Sequence, residues 1–198
     1  MSTHTSAVKN VEPKYLLHSY NQFVFQGIEK NVWHIHGEAR KPNSIIIGHD
    51  YYGKLFGRIN KYLDGQKNRY FDIQREGKEN VIKSWIDAFI LGDVYAVGFG
   101  YDYSEFDLWW LLNRKKRENA EHGKLYFYEP QKVADGTVDE KVELLRTLGA
   151  EIESFGLNIY GVENDACDAE YRRFYKVTCE YLEKTIGMQQ GCSAAQTQ

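Results

Sequence analysis

The sequence predicts an α/β fold in which a mostly parallel sheet is covered by helices on both faces. Short β-branched and aromatic runs alternate with stretches of helical periodicity, the pattern of strands joined by crossover helices. The segment from Val94 to Leu112, VYAVGFGYDYSEFDLWWLL, holds one such unit. A buried strand over Val94 to Val97 feeds a turn bracketed by Gly98 and Gly100, and a helix opens at Ser104. A chain of 198 residues with 42% hydrophobic content supports one good-sized core.

In chain order, a polar leader over 1–13 ends at Pro13. Tyr15-Leu16-Leu17 reads as a strand running into His18-Ser19-Tyr20-Asn21, Asn31 to His36 as a second, and Ser44 to Ile47 as a third. Asp50 to Leu63 fits a helix, because Tyr51, Leu55, Ile59 and Tyr62 or Leu63 recur at helical spacing. The polar interval from Asp64 to Lys78 reads as a surface loop. Val81, Trp85, Ile86, Phe89 and Ile90 mark a helix that stops at Gly92. The helix from Ser104 runs to about Ala120, with Phe106, Trp109, Trp110 and Leu112 as its apolar face. Leu125 to Tyr128 is then a strand, and Val138 to Leu148 a helix that Gly149 caps. Ala150 to Ser154, with Asn158 to Tyr160, supplies the last strand material, and Asp168 to Ile186 the last helix. The expected organisation is one domain over 14–187 and a disordered tail over 188–198.

A formal net charge of −3 gives no broad electrostatic reason to bind nucleic acid. The one basic run, Arg114 to Arg117, falls near the end of a helix, where cations complement the dipole, and reads as a solvated face. Three cysteines, Cys167, Cys179 and Cys192, share no C-x-x-C spacing, which argues against a disulfide framework or a cysteine zinc site. No apolar run approaches the roughly 20 residues that cross a bilayer, and the N-terminus lacks a secretory apolar region, so a cytoplasmic location is expected.

Three loops are expected at the carboxyl ends of strands, where open parallel sheets bind ligands: Ser19-Tyr20-Asn21, His36-Gly37-Glu38 and Gly98-Phe99-Gly100. A glycine turn that feeds a helix N-terminus turns unpaired N–H groups toward an anion, and the missing side chain permits close approach. Histidine, with an ordinary pKa of about 6.5, suits a general base on a ribose hydroxyl. Asparagine offers a neutral donor and acceptor that can orient a water or an amide. Plain structural readings stand beside these. His34 and His36 also fit strand-end side chains hydrogen-bonded to backbone, and Ser104 and Asp107 fit an S-x-x-D capping pair on a core helix. No further histidine or carboxylate lies at ligand spacing from the H-x-H pair, so no metal is expected.

Taken together and in order, Ser19-Tyr20-Asn21, Val32 to Gly37, Ile45 to Tyr52, and Gly98 through Asp107 resemble the motifs of the sirtuin-like domain. The match is closer to its bacterial defence branch, which includes abortive-infection proteins of the AbiH type. The quoted patterns are S/T-x-N, a strand ending in His-Gly, I-I-x-G/S-x-x-x-Y, and a Gly-x-G/S turn before an acidic helix start. Lys124 to Pro130 stands where the family carries its next cofactor-side strand, and the resemblance covers roughly Tyr15 to Phe155. It implies a Rossmann-like sheet flanked by helices and NAD as cofactor. The implied activity is cleavage of NAD to nicotinamide and ADP-ribose in antiviral defence. By position, His36 is the implied base and Asn21 the residue that orients the reacting water or ribose. Ser19, Gly37, Gly98, Phe99, Gly100 and Glu129 are the implied cofactor contacts. A non-catalytic module that binds NAD or ADP-ribose, or a structural interaction domain, is the alternative.

The family's four-cysteine zinc module has no counterpart here, so neither zinc as cofactor nor protein deacetylation is expected. Nothing ahead of Tyr15 supplies a G-x-G-x-x-G turn, so the chain is expected to be a fold truncated at its N-terminus. A shortened sheet exposes an edge, and Trp109 and Trp110 offer a contact patch, so a homo-oligomer or a partner subunit is expected.

Overall fold

The computed structural model describes residues 5–6, 17, 21–25, 27–65, 70, 82–118, 123–132, 140–157 and 164–195. They form an α/β protein with five α-helices and two three-stranded sheets. Two compact units divide the chain, Met1–Gly92 with Tyr103–Gly123, and Asp93–Asp102 with Lys124–Gln198. No described helix is long and apolar enough to cross a membrane.

The sheet of the first unit is antiparallel, with β1 (Thr5–Ser6), β2 (Asn21–Phe25) and β3 (Ile28–Val32) in that order. Asn21 faces Val32, Phe25 faces Ile28, and Gly27 at φ +78° makes the tight hairpin turn between them. Two expected strands are therefore corrected. The strand expected over Asn31 to His36 ends at Val32, and Ser44 to Ile47 is no strand but the exit of a 3₁₀ turn over Pro42–Ser44. Here local turns outbid β-propensity. Gly37 N–H donates to His34 O (3.0 Å), Lys41 N–H to Glu38 O (2.8 Å) and Ser44 N–H to Lys41 O (2.8 Å). Of the strand expected at Tyr15-Leu16-Leu17, only Leu17 is described, buried in a turn.

Helix α1 (His49–Asp64) buries Leu55, Ile59 and Leu63, as the periodicity predicts, but turns Tyr51 outward and Tyr52 inward. Most of the loop expected from Asp64 to Lys78 lies outside the described residues; Tyr70 within it is buried. Helix α2 (Trp85–Leu91) starts at a capping box, with the Ser84 side chain on the Asp87 amide and the Asp87 side chain on the Ser84 amide. Helix α3 (Phe106–Glu118) buries Leu108, Leu111, Leu112 and Lys115, one stripe at helical spacing. Phe56 meets Trp110 edge-on at 5.1 Å, which ties α1 to α3.

The second unit holds the parallel sheet, β4 (Val94–Val97), β5 (Leu125–Lys132) and β6 (Glu151–Leu157), in chain order. Leu125, Phe127 and Tyr128 are buried, so both faces of β5 are covered, as in crossover-linked sheets. Helix α4 (Glu140–Thr147) ends in a Schellman motif, with Ala150 N–H on Leu145 O (3.0 Å) and Gly149 N–H on Arg146 O (2.9 Å). Gly149 takes the required positive φ of +88°. Helix α5 (Asn164–Ala195) sets Phe174 against Tyr128, with Tyr95, Val97, Tyr126, Tyr171 and Leu182 around them. It runs past Gly187, where the sequence reading ends the last helix. One glycine costs a helix only about 1 kcal/mol and is no stop by itself.

Candidate functional site

The first unit gathers polar groups around one imidazole. His36 follows the hairpin and lies within the turn that Gly37 closes by bonding to His34 O, and φ at Gly37 is +100°. A Cβ on Gly37 would lie 2.3 Å from Ser44 O and 2.6 Å from Ile45 Cα, so backbone packing alone demands glycine beside His36. Gly37→Ala is expected to destabilise the first unit by about 2 to 3 kcal/mol in urea unfolding. An unchanged midpoint would show that the turn relaxes freely.

His36 Nε2 lies 3.0 Å from Asp107 Oδ2, and Nδ1 lies 3.4 Å from Glu105 Oε2. The Tyr52 hydroxyl donates to the same Glu105 oxygen at 3.3 Å, and its ring packs edge-on to His36 at 5.3 Å. Asp107 is fully buried, whereas the His36 and Glu105 side chains are 23% and 20% exposed, so the imidazole faces solvent on its Glu105 side. Burial pulls the His36 pKa down, but the bond to Asp107 and the charges of Asp107 and Glu105 outweigh it and leave it raised. Burial, followed by the Glu105 and Asp107 charges, pushes the Tyr52 hydroxyl up to about 12, so it is a donor at neutral pH.

Asp107 is the second residue of α3, where a carboxylate complements the helix dipole. The helix opens at Phe106, two residues after Ser104, and Asp107 turns its Oδ2 to His36. His36, Glu105 and Asp107 also present ligand atoms that all lie within 4.8 Å of one another, a set able to hold a cation. Sequence alone does not join Glu105 and Asp107 to His36, because 71 residues separate His36 from Asp107. Tyr52 is the tyrosine of the I-I-x-G-x-x-x-Y stretch, but the helical spacing expected from Asp50 puts Tyr51 on the apolar face, which leaves the inward placement of Tyr52 unseen.

Asn21 is the first residue of β2, and its Nδ2 lies 3.3 Å from His34 Nε2. The two histidines thus enter different networks, and strand alternation does not relate them, because β3 ends before both. Ser19 lies outside the described residues. Glu129 is on β5 opposite Ser154. The three loops do not share one parallel sheet, since only Gly98-Phe99-Gly100 follows a parallel strand.

That third loop lines a cavity of about 210 Å³ in the second unit, with Phe127 and Tyr128 of β5, Lys141 of α4 and Phe174 and Tyr175 of α5. Gly98 has φ +66°, and a Cβ there would come within 3.0 Å of the Tyr175 ring, whereas Gly100 faces open space. The helix expected directly after these glycines begins only at Phe106, so its N-terminus does not adjoin the turn in sequence. The cavity is smaller than the roughly 300 to 1,000 Å³ of whole-ligand pockets and suits a single ring or sugar. No family model, no curated protein and no solved structure matches the chain.

Proposed function

We propose that the chain cleaves the bond between nicotinamide and ribose in NAD, with His36 as the base and Asn21 orienting the reacting water. One observation carries this reading. Three of the segments that resemble sirtuin-like motifs converge on one imidazole: His36-Gly37, the Gly48-to-Tyr52 stretch and the Ser104-to-Asp107 helix start. Matches arising by chance in unrelated structural segments give no reason for that convergence.

The chemistry suits the groups present. The C1′–N bond breaks and its electron pair neutralises the pyridinium nitrogen, so the leaving group needs no acid. Water forms the new C1′–O bond and gives up a proton, which His36 accepts. Asp107 fixes the ring through Nε2, and Nδ1, which faces Glu105 at 3.4 Å on the more exposed side, is the working nitrogen. A setting in antiviral defence and a cytoplasmic location rest on the resemblance alone.

Chromatographic assay of nicotinamide release tests the reading. Wild type is expected to release nicotinamide and His36→Ala to lose at least about 100-fold in rate. His36→Ala is also expected to lower the melting temperature. Removing the imidazole strands a fully buried carboxylate, at a cost of about 1 to 3 kcal/mol. His36→Gln, which retains a donor for Asp107, should therefore keep more stability while remaining inactive. Wild-type protein that releases no nicotinamide overturns turnover. The cavity beside Gly98 and Gly100 favours a binding module as the second reading, and calorimetric binding of ADP-ribose without turnover would select it.

A further inference from the structure

We infer that His36, Glu105 and Asp107 form a site for a divalent zinc-type cation, and that its occupancy switches off the base on which the proposed function rests. The donor set is one imidazole nitrogen and two carboxylate oxygens, groups that together suit Zn²⁺. With zinc–ligand bonds of about 2.0 to 2.2 Å, neighbouring ligand atoms in a tetrahedron stand about 3.3 Å apart. His36 Nε2 and Asp107 Oδ2 are 3.0 Å apart, so a cation in place of the shared proton spreads them by only a few tenths of an ångström. Glu105 has further to come, within the 4.8 Å that spans the cluster, and its partly exposed side chain can swing inward. A fourth position remains for water on that exposed side.

A second observation points the same way. Asp107 is fully buried, and its Oδ1 has no hydrogen-bond partner among the described residues. A buried carboxylate oxygen without a donor is costly, and a positive charge beside it offsets that cost. Two carboxylates facing one protonated imidazole leave one negative charge in excess, whereas a divalent cation on the neutral imidazole balances both. The same cation occupies the nitrogen lone pair or clamps the ring, so a loaded site does not accept the proton of a reacting water.

The direct test is calorimetric titration of the full chain with Zn²⁺ alone, joined to a thermal melt with and without the metal. One equivalent is expected to bind and to raise the melting temperature. Glu105→Gln, on a partly exposed side chain, keeps the fold intact and is expected to weaken binding by roughly 100-fold, and Asp107→Asn by at least as much. His34→Ala removes the neighbouring histidine of the H-x-H pair and is expected to leave binding unchanged. Nicotinamide release by wild type should fall to background at one equivalent of Zn²⁺ and return on adding a chelator. No binding, or binding that persists in both Glu105→Gln and Asp107→Asn, or that disappears in His34→Ala, overturns the site. The two readings fail separately. Zinc binding that tracks the variants in a chain with no activity sustains the metal site and rejects NAD cleavage, whereas active protein indifferent to zinc does the reverse.

Discussion

Replacing Asp87 by alanine is expected to lower the stability of the first unit by about 3 to 5 kcal/mol. Asp87 is fully buried, and four donors converge on its carboxylate. They are the hydroxyls of Tyr62 (2.7 Å) and Tyr70 (2.8 Å) and the amides of Lys83 (2.9 Å) and Ser84 (3.2 Å). Hydrogen bonds to a charged acceptor are worth about 1.5 to 3 kcal/mol each, and the larger loss comes from leaving buried donors without an acceptor. The carboxylate also joins α1 to α2 through Tyr62, and it completes the capping box of α2. All four tryptophans, Trp33, Trp85, Trp109 and Trp110, belong to the first unit, so urea unfolding followed by their fluorescence reports on that unit. Tyr70→Phe should cost about 1 kcal/mol, because the carboxylate keeps its other donors. An Asp87→Ala midpoint within about 1 kcal/mol of wild type would mean that water replaces the lost acceptor.

What was legible in the sequence follows the range of the interaction that fixes each element. The strand over Val94 to Val97, the helix stop at Gly92 and the cap at Gly149 depend on neighbours within a few residues, and each lies where the pattern puts it. The helix of Leu55, Ile59 and Leu63 is legible for the same reason. The Ile45-Ile46-Ile47 run is the counterexample. Strand propensity is high there, yet Ile45 and Ile47 are exposed, because the turns from Gly37 to Ser44 deny the run a partner strand. The hairpin of β2 and β3 does carry a signal, a glycine two residues before Glu29 between β-prone runs, although the expected sheet is parallel and has no place for a tight turn. At the candidate site, His36 was legible by its Gly37 neighbour. Its partners were not, because they belong to a helix start that local reading assigned to capping. A capping signature and a buried carboxylate aimed at a distant imidazole look alike in sequence. Only the register of the helix start separates them.

Lys115 gives the second large effect, and it is the one position of its basic run that departs from a solvated helix end. Arg114 to Arg117 suggests a solvated helix end, but Lys115 is 3% exposed. Its place follows from helical spacing, since Leu108, Leu111, Leu112 and Lys115 share one stripe. The ammonium donates to the carbonyl oxygens of Phe89 (2.8 Å), Ile90 (3.1 Å) and Gly92 (2.5 Å), which end α2. A cation there compensates both the dipole and the unpaired carbonyls. Lys115→Met keeps the stem but removes the charge, and it is expected to cost about 2 to 4 kcal/mol in urea unfolding. Lys116→Met, on the exposed neighbour, should stay within about 0.5 kcal/mol of wild type. Equal effects from the two substitutions would reduce the contribution of Lys115 to general surface charge. Asp107 lies two helical turns before Lys115 on the same helix, so Lys115→Met should leave zinc binding at His36 unaltered wherever the chain remains folded.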